Sequence, residues 1–159
     1  MELDIKNKTQ KSILWILFVL YIMLLITVIF FKYGSMGSLM LLQETNRTLR
    51  GNFIPLKTII FYCRTSNIDI TIRELLGNVI AFAPMGFLMP LLFNRIKGVV
   101  KVSIISFTIS LFFELIQLIT NLGSFDVDDM ILNTSGALIG FMVYKAIRNL
   151  VAKKTEGNI

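Results

Sequence analysis

The sequence predicts an all-α integral membrane protein with about four transmembrane helices. Of its 159 residues, 55% are hydrophobic, and its mean hydropathy of +0.73 is typical of a membrane protein. Four apolar segments each contain about twenty residues, which is enough for a helix to cross the hydrocarbon core of a bilayer. We therefore expect one membrane domain over residues 1–159, with spans at about 12–31, 75–93, 99–120 and 130–151.

The first span carries no charge, and a basic tail with Lys6, Lys8 and Lys11 precedes it. A secretory signal peptide also begins with basic residues, but its apolar region is shorter, and Ser35 and Gly37 make a poor cleavage site. We therefore interpret the span as an uncleaved anchor. Nothing else in it is polar enough to indicate a further role.

The longest connection, residues 33–74, is not uniformly polar. Its segment 52–62 predicts a turn and then a short amphipathic helix that lies in the membrane interface, with Pro55 in the first helical turn. Ile68 and Ile72 begin a stripe at helical spacing, which predicts a helix that continues into the second span. The alternation of isoleucine at residues 68, 70 and 72 also fits a strand.

Prolines and glycines predict helix contacts in the second and fourth spans. Pro84 and Gly86 predict a kink near the middle of the second span that opens a cavity towards the next helix. Gly136 and Gly140 form a Gly-x-x-x-Gly pattern, which permits close backbone approach between helices in a membrane. We therefore expect these two glycines to contact another helix, with the third helix as the first choice.

Basic residues are distributed unequally between the two sides of a four-span protein. Ten of the 16 Lys and Arg residues lie on the side of the termini, and six lie in residues 32–74. The ten are Lys6, Lys8, Lys11, Arg95, Lys97, Lys101, Lys145, Arg148, Lys153 and Lys154. The positive-inside rule therefore predicts a multi-pass membrane protein with both termini in the cytoplasm. The net charge of +6 reflects residues that face anionic lipid, so it does not indicate a nucleic-acid partner.

Polar residues recur at helical spacing at the facing ends of the third and fourth spans. They are Ser103, Ser106, Ser110, Glu114, Gln117 and Asn121 on the third span, and Asp126, Asp129, Asn133, Gly136 and Gly140 on the fourth. The short loop requires antiparallel helices, so we expect the two polar ends to meet. Glu114 is the main signal of function, because a carboxylate inside a span is costly to bury. Its structural alternative is a hydrogen bond to Asn133 or to backbone.

The acidic loop has two interpretations. Asp126 and Asp129, together with Glu114, could hold a hard divalent cation such as Mg²⁺ or Ca²⁺ through their oxygens. Alternatively, acids here favour the positive end of the fourth helix. For Asp128 we expect capping or solvent exposure, and only a mild effect of Asp128→Asn. No metal is assigned, and no other cofactor is expected.

The predicted functional site gathers polar side chains at one end of the spans. It comprises Asn52, Asn78, Glu114, Gln117, Asp126, Asp129 and Asn133. For Asn78, a helix-terminal or interhelical hydrogen bond is the structural alternative. The chain contains no histidine, which excludes a Ser-His-Asp triad and histidine-ligated zinc. Its single cysteine, Cys63, excludes an internal disulfide.

Four groups of residues between about 50 and 144 carry a family resemblance. They are Asn52-Phe53-Ile54-Pro55, Gly77-Asn78 followed by Phe82-x-Pro84-x-Gly86-Phe87, Glu114-x-x-Gln117, and Phe125-Asp126-x-x-Asp129-x-x-x-Asn133-x-x-Gly136. In this order they resemble the VanZ-like family of small bacterial membrane proteins. Ser124 stands where family members often carry a basic residue, which argues against a phosphate anchor there. The resemblance implies a cell-membrane protein from a family whose founding member lowers susceptibility to teicoplanin-type glycopeptides.

Three classes of function fit these residues. The leading hypothesis is an envelope factor that alters the access of lipid-anchored glycopeptides to the outer leaflet, with a membrane lipid or lipid-linked cell-wall precursor as its partner. The alternative is a membrane enzyme that acts on a lipid phosphate or polyprenyl carrier, with Glu114, Asp126 and Asp129 holding a cation or acting as acid and base. Against it, no obvious nucleophile accompanies the acids. Transport with Glu114 as proton carrier would require an oligomer, because four spans are few.

Overall fold

The computed structural model describes residues 8–32, 51–66, 68–120 and 123–156 and is almost entirely helical. In chain order its elements are α1 (Lys8–Lys32), β1 (Gly51–Asn52), α2 (Lys57–Arg64), α3 (Ile68–Thr71), a π-helical turn (Ile72–Leu76), α4 (Gly77–Leu92), α5 (Val99–Thr120), β2 (Phe125–Asp126) and α6 (Val127–Glu156). The predicted fold class, an all-α membrane protein, is confirmed. Ser35, Gly37 and Asn121 lie outside the described residues.

Within the described residues, four helical segments are long and apolar enough to cross a membrane. They are Lys8–Ile29, Ile72–Leu92, Val99–Thr120 and Val127–Lys154. These segments match the four predicted spans, and the third agrees at both ends. The fourth helix begins earlier than predicted, because Asp128 and Asp129 belong to its first turn. The helix dipole favours negative side chains at that position.

Helices α4 and α6 share the most extensive interface of the bundle. A Cβ added at Gly86 would lie 1.7 Å from the carbonyl oxygen of Ala137, and one added at Gly140 would lie 1.8 Å from that of Ala83. Gly136 approaches Val79 in the same way, at 2.1 Å. The two backbones are therefore in direct contact, and no residue larger than glycine fits at these positions. The predicted contact of Gly136 and Gly140 with another helix is confirmed, but the choice of the third helix was wrong, because both face the second span.

The second span continues through both of its prolines. Helix α4 contains Pro84 and Pro90, and no strand or turn interrupts it. Pro90 is buried, whereas Pro84, which we expected at a helix contact, is exposed. Because Pro84 is exposed, its ring does not pack in the helix interface, and Gly86 and the other small residues form the contact instead.

The apolar core lies between α4, α5 and α6. It contains Phe82, Met85, Met89, Val102, Phe113, Ala137, Phe141 and Tyr144, and α1 adds Leu25. Helix α1 lies at the edge of this core, and most of its large apolar side chains are exposed. The hydroxyl of Tyr21 donates a hydrogen bond of 2.7 Å to the carbonyl oxygen of Ala81, which connects α1 to α4.

The connection before the second span contains the predicted short helix. Helix α2 has no buried residue and starts after Leu56, which adopts a left-handed conformation with φ of 66°. Pro55 therefore lies in the turn before the helix, and not in its first turn as expected. Residues from Ile68 onward are helical and continue through the π-helical turn into α4, so the helical interpretation of this segment is confirmed and the strand alternative is wrong.

Candidate functional site

A two-residue parallel strand pair connects the long connection to the acidic loop. Gly51 pairs with Phe125, and Asn52 pairs with Asp126. A Cβ at Gly51 would lie 2.9 Å from the carbonyl oxygen of Phe125, so the close pairing requires glycine. The ring of Phe53 stacks on that of Phe125, with centroids 4.8 Å apart. Short as it is, this pair positions the acidic loop next to the start of α2.

Asp126 is the centre of a group of hydrogen bonds that we call the loop junction, formed by Asn52, Thr58, Asp126 and Asp128. One carboxylate oxygen accepts from the Asn52 side-chain amide at 3.0 Å and from the Asp128 backbone N–H at 2.8 Å. The other accepts from the Thr58 hydroxyl at 2.6 Å. Burial raises the pKa of Asp126 above its ordinary value, although these three hydrogen bonds act in the opposite direction.

Asp128 belongs to the same junction and corrects a prediction. We expected it to cap the fourth helix or to be exposed, but it is 0% exposed. Its carboxylate accepts from the backbone N–H groups of Leu56, of Thr58 at 2.7 Å and of Ile59 at 3.1 Å. These donors are at the start of α2, so Asp128 caps a helix about seventy residues earlier in the chain. The expected mild effect of the Asp128→Asn substitution is therefore revised in the Discussion.

Glu114 connects the loop junction to the interior of the bundle. It is 3% exposed, and its Oε2 accepts a hydrogen bond of 2.8 Å from the backbone N–H of Asp126. The predicted meeting of the two polar ends is thus confirmed. Of the two structural alternatives for Glu114, the bond to backbone is present. Asn133 instead donates to the Ser110 hydroxyl at 2.8 Å.

A second set of polar side chains lines a cavity of about 160 Å³ between the spans, which we call the span cavity. Its polar lining consists of Arg73, Asn78, Glu114, Gln117, Asp129 and Asn133, and its apolar lining includes Val28, Ile29, Phe82 and Phe113. The Asn78 side-chain amide donates to the carboxylate of Asp129, which is an interhelical hydrogen bond between α4 and α6. All four spans therefore contribute to this cavity.

The first span contributes more than the anchor that the sequence indicated. Val28 and Ile29 form part of the cavity wall, and the Ile29 carbonyl oxygen accepts a hydrogen bond of 3.1 Å from the Gln117 side-chain amide. The side-chain oxygens of Gln117 and Asn133 are buried without a hydrogen-bond partner in the described part of the chain. Such groups are uncommon in folded proteins and call for an explanation.

The seven predicted site residues thus fall into two connected groups. Asn52 and Asp126 belong to the loop junction, whereas Asn78, Glu114, Gln117, Asp129 and Asn133 line the span cavity. Within residues 8–32, 51–66, 68–120 and 123–156, no group of three or more Asp, Glu, Cys or His side chains is arranged to hold a metal ion. Asp126 is held by nitrogen and hydroxyl donors of the protein itself.

Two functional side chains were not predicted. Thr58 had no local signal, because it gains its role only when the connection packs against the acidic loop. Arg73 was likewise absent from the predicted site, and it lies in the lining of the same cavity as Glu114 and Asp129. Its signal in the sequence is a single basic residue near the end of an apolar span.

Comparison with known proteins agrees with these motifs. A family model described as VanZ/LLP1 matches residues 18–148. Protein VanZ of Enterococcus faecium is 39% identical over 72 residues, which cover 45% of this chain and 44% of that protein. The match therefore spans less than half of the length of this relative. No solved structure matches the chain.

Proposed function

Because the chain belongs to the VanZ/LLP1 family, we propose that it lowers bacterial susceptibility to teicoplanin-type, lipid-anchored glycopeptides. The observation that carries this proposal is the match of the family model to residues 18–148, which include most of all four spans. The identity to Protein VanZ of Enterococcus faecium supports the same conclusion. The chain is a membrane protein, and the proposal concerns what it does there.

The proposed orientation has both termini in the cytoplasm. Ten Lys and Arg residues on the side of the termini, against six in residues 32–74, support it. In this orientation the loop junction and the span cavity are at the outer leaflet. Lipid-anchored glycopeptides and lipid-linked cell-wall precursors meet in that leaflet, so a polar cavity there is suitably placed to bind a membrane lipid or such a precursor.

The geometry supports binding within the membrane. The span cavity combines an apolar wall with amide, carboxylate and guanidinium groups, the composition expected of a ligand site. Glu114 is buried in the third span and is hydrogen-bonded to the acidic loop, so a ligand in the cavity would be coupled to the loop junction. A carboxylate kept at this depth is consistent with a functional rather than a purely structural role.

The test compares susceptibility in a strain that lacks the protein. Wild type should raise the inhibitory concentration of teicoplanin severalfold and leave that of a glycopeptide without a lipid tail nearly unchanged. Glu114→Gln and Asp129→Asn should remove the effect at equal membrane abundance. Asp69→Asn, which changes an exposed acid in the connection before the second span, is the control.

Two outcomes would contradict the proposal. Equal resistance to both antibiotics would argue against a role specific to lipid-anchored glycopeptides. Full activity of both amide variants would argue against the acidic site. Metal-dependent turnover of a lipid phosphate by the purified protein would support the alternative, a membrane enzyme.

A further inference from the structure

The lining of the span cavity offers hydrogen-bond acceptors that the protein does not use. Gln117 is 1% exposed and Asn133 is 5% exposed, and the side-chain oxygen of each has no partner among the described residues. Their amide nitrogens are already engaged, by the Ile29 carbonyl and the Ser110 hydroxyl. The side-chain oxygens of both amides therefore lack a donor, and leaving a buried acceptor unsatisfied is costly. A ligand that donates hydrogen bonds would recover this energy.

The charged side chains in the cavity lining favour a ligand whose hydrogen-bond donor is positively charged. Glu114 and Asp129 line the cavity together with a single guanidinium, that of Arg73, which leaves an excess of negative charge when all three are ionised. An anion would meet two carboxylates, whereas a primary ammonium group brings three donors, no acceptor and a positive charge. The oxygens of Gln117 and Asn133 would then gain donors, and the two carboxylates would gain a positive counter-charge.

The size and the remaining lining indicate a small organic amine. The cavity of about 160 Å³ is close to the roughly 150 Å³ that holds a benzene-sized molecule, so an ammonium group on a short carbon stem fits. Val28, Ile29 and Phe113 provide apolar contacts for the stem. Arg73 is exposed as well as lining the cavity, so its guanidinium is placed to bind a phosphate attached to the same stem.

We propose that the span cavity binds the primary ammonium group of a phosphoethanolamine-type ligand, with Gln117 and Asn133 accepting its hydrogen bonds and Arg73 contacting its phosphate. This chemistry occurs in a lipid headgroup and in soluble amines. The proposal deepens the proposed function by naming a ligand class for the same site. Binding is measured on the purified protein, so the two can fail separately.

The experiment uses wild type in lipid nanodiscs that contain phosphatidylglycerol together with equal amounts of phosphatidylethanolamine and phosphatidylcholine. The two headgroups have the same charge, but only ethanolamine has N–H donors. Lipid retained by the protein is quantified by native mass spectrometry. Wild type should retain ethanolamine lipid at least tenfold more tightly than choline lipid. Equal retention, as expected for a cavity that holds only water, would overturn the proposal.

Variants assign the preference to the cavity. Gln117→Leu and Asn133→Leu should each lower the ethanolamine-to-choline ratio to about one. Thr134→Val is the matched control, because the Thr134 hydroxyl is also buried without a partner in the described residues but does not line the cavity. The ratio is internal to each sample, so reduced yield of a variant does not affect it. A preference that survives in both leucine variants would overturn the assignment.

Competition identifies the source of the ammonium group. If soluble glycerophosphoethanolamine displaces the lipid at equal concentration, the result supports the ligand chemistry and indicates a soluble amine as the source of the ammonium group. If it does not displace the lipid, the result indicates a lipid headgroup as the source. Wild type that raises teicoplanin resistance without any ammonium preference would overturn this inference and leave the proposed function in place. Wild type that prefers the ammonium lipid but does not raise teicoplanin resistance would support this inference and overturn the proposed function.

Discussion

Replacing Asp128 tests how the connection is held against the bundle. In the structure its carboxylate accepts from three backbone N–H groups at the start of α2, those of Leu56, Thr58 and Ile59. Asp128→Asn keeps the shape of the side chain but removes the charge and one acceptor. The new amide NH₂ would then face an N–H donor of α2. We expect α2 to separate from the acidic loop far more often in this variant.

The size of the effect follows from the number and kind of hydrogen bonds. A hydrogen bond to a charged group contributes about 1.5–3 kcal/mol, and loss of a helix cap typically costs about 0.5–2 kcal/mol. Helix α2 has no buried residue, so water can replace part of what is lost. We therefore expect the free energy of local opening to fall by about 2–4 kcal/mol. At about 1.4 kcal/mol per tenfold change, amide exchange in α2 should accelerate roughly 30- to 700-fold.

Hydrogen exchange with mass spectrometry measures this directly, because amide exchange reports the free energy of local opening. The relevant peptides cover residues 53–64, and peptides from α5 serve as an internal reference. Asp69→Asn removes an exposed acid of the same connection and should change exchange less than threefold. If Asp128→Asn also changed it less than threefold, the cap that Asp128 forms on α2 would not stabilise the junction, and the reasoning would be refuted.

Three further predictions concern packing, pH and orientation. Gly86→Ala should lower the melting temperature in detergent by several degrees, because its Cβ would lie 1.7 Å from a backbone oxygen. A Cβ at Gly77 meets nothing within 4 Å, so Gly77→Ala should leave the melting temperature unchanged or raise it. Equal effects of the two variants would refute the close packing at Gly86. The raised pKa of Asp126 means that its contribution to stability is complete below its ordinary value of 3.8 and is lost as pH rises through the raised value. Protection of α2 from exchange, corrected for intrinsic rates, should therefore fall from pH 4 to pH 7, and Asp126→Asn should abolish the trend; an unchanged trend would assign it to another group. Ser66→Cys in a Cys63→Ser background should react with an impermeant thiol reagent on intact cells, and labelling only after lysis would reverse the orientation.

Short-range patterns in the sequence were sufficient to predict the spans and the polar faces. The four apolar segments predicted the four spanning helices, because length and hydropathy are properties of a continuous stretch. The three- and four-residue spacing predicted that Ser106, Ser110, Glu114 and Gln117 share one face, and all four are buried. The connection of Glu114 to Asp126 also followed, because a short loop must bring the two ends together.

Partner choice could not be predicted in the same way. Gly136 was expected to contact the third helix and instead lies against Val79 of the second, because glycine permits close approach but does not specify which backbone approaches. Asp128 was expected to be exposed or to cap its own helix, yet it caps α2, which is distant in the sequence. Pro84 was expected at a contact and is exposed. Each of these roles depends on a segment that packs across the bundle.

By itself the sequence determined the class of the protein, its four spans, the buried carboxylate and the family to which it belongs, since each of these depends on composition or on spacing along one segment. Only the tertiary structure decided that the polar residues divide into the loop junction and the span cavity, and that the first span forms part of the cavity wall. It also decided that two amide oxygens are left without partners. The physical reason is that helix periodicity arises from local backbone geometry and is therefore visible in a continuous stretch of sequence. Hydrogen-bond partners and cavities arise instead from contacts between segments that are distant in the sequence, and such contacts leave no local pattern.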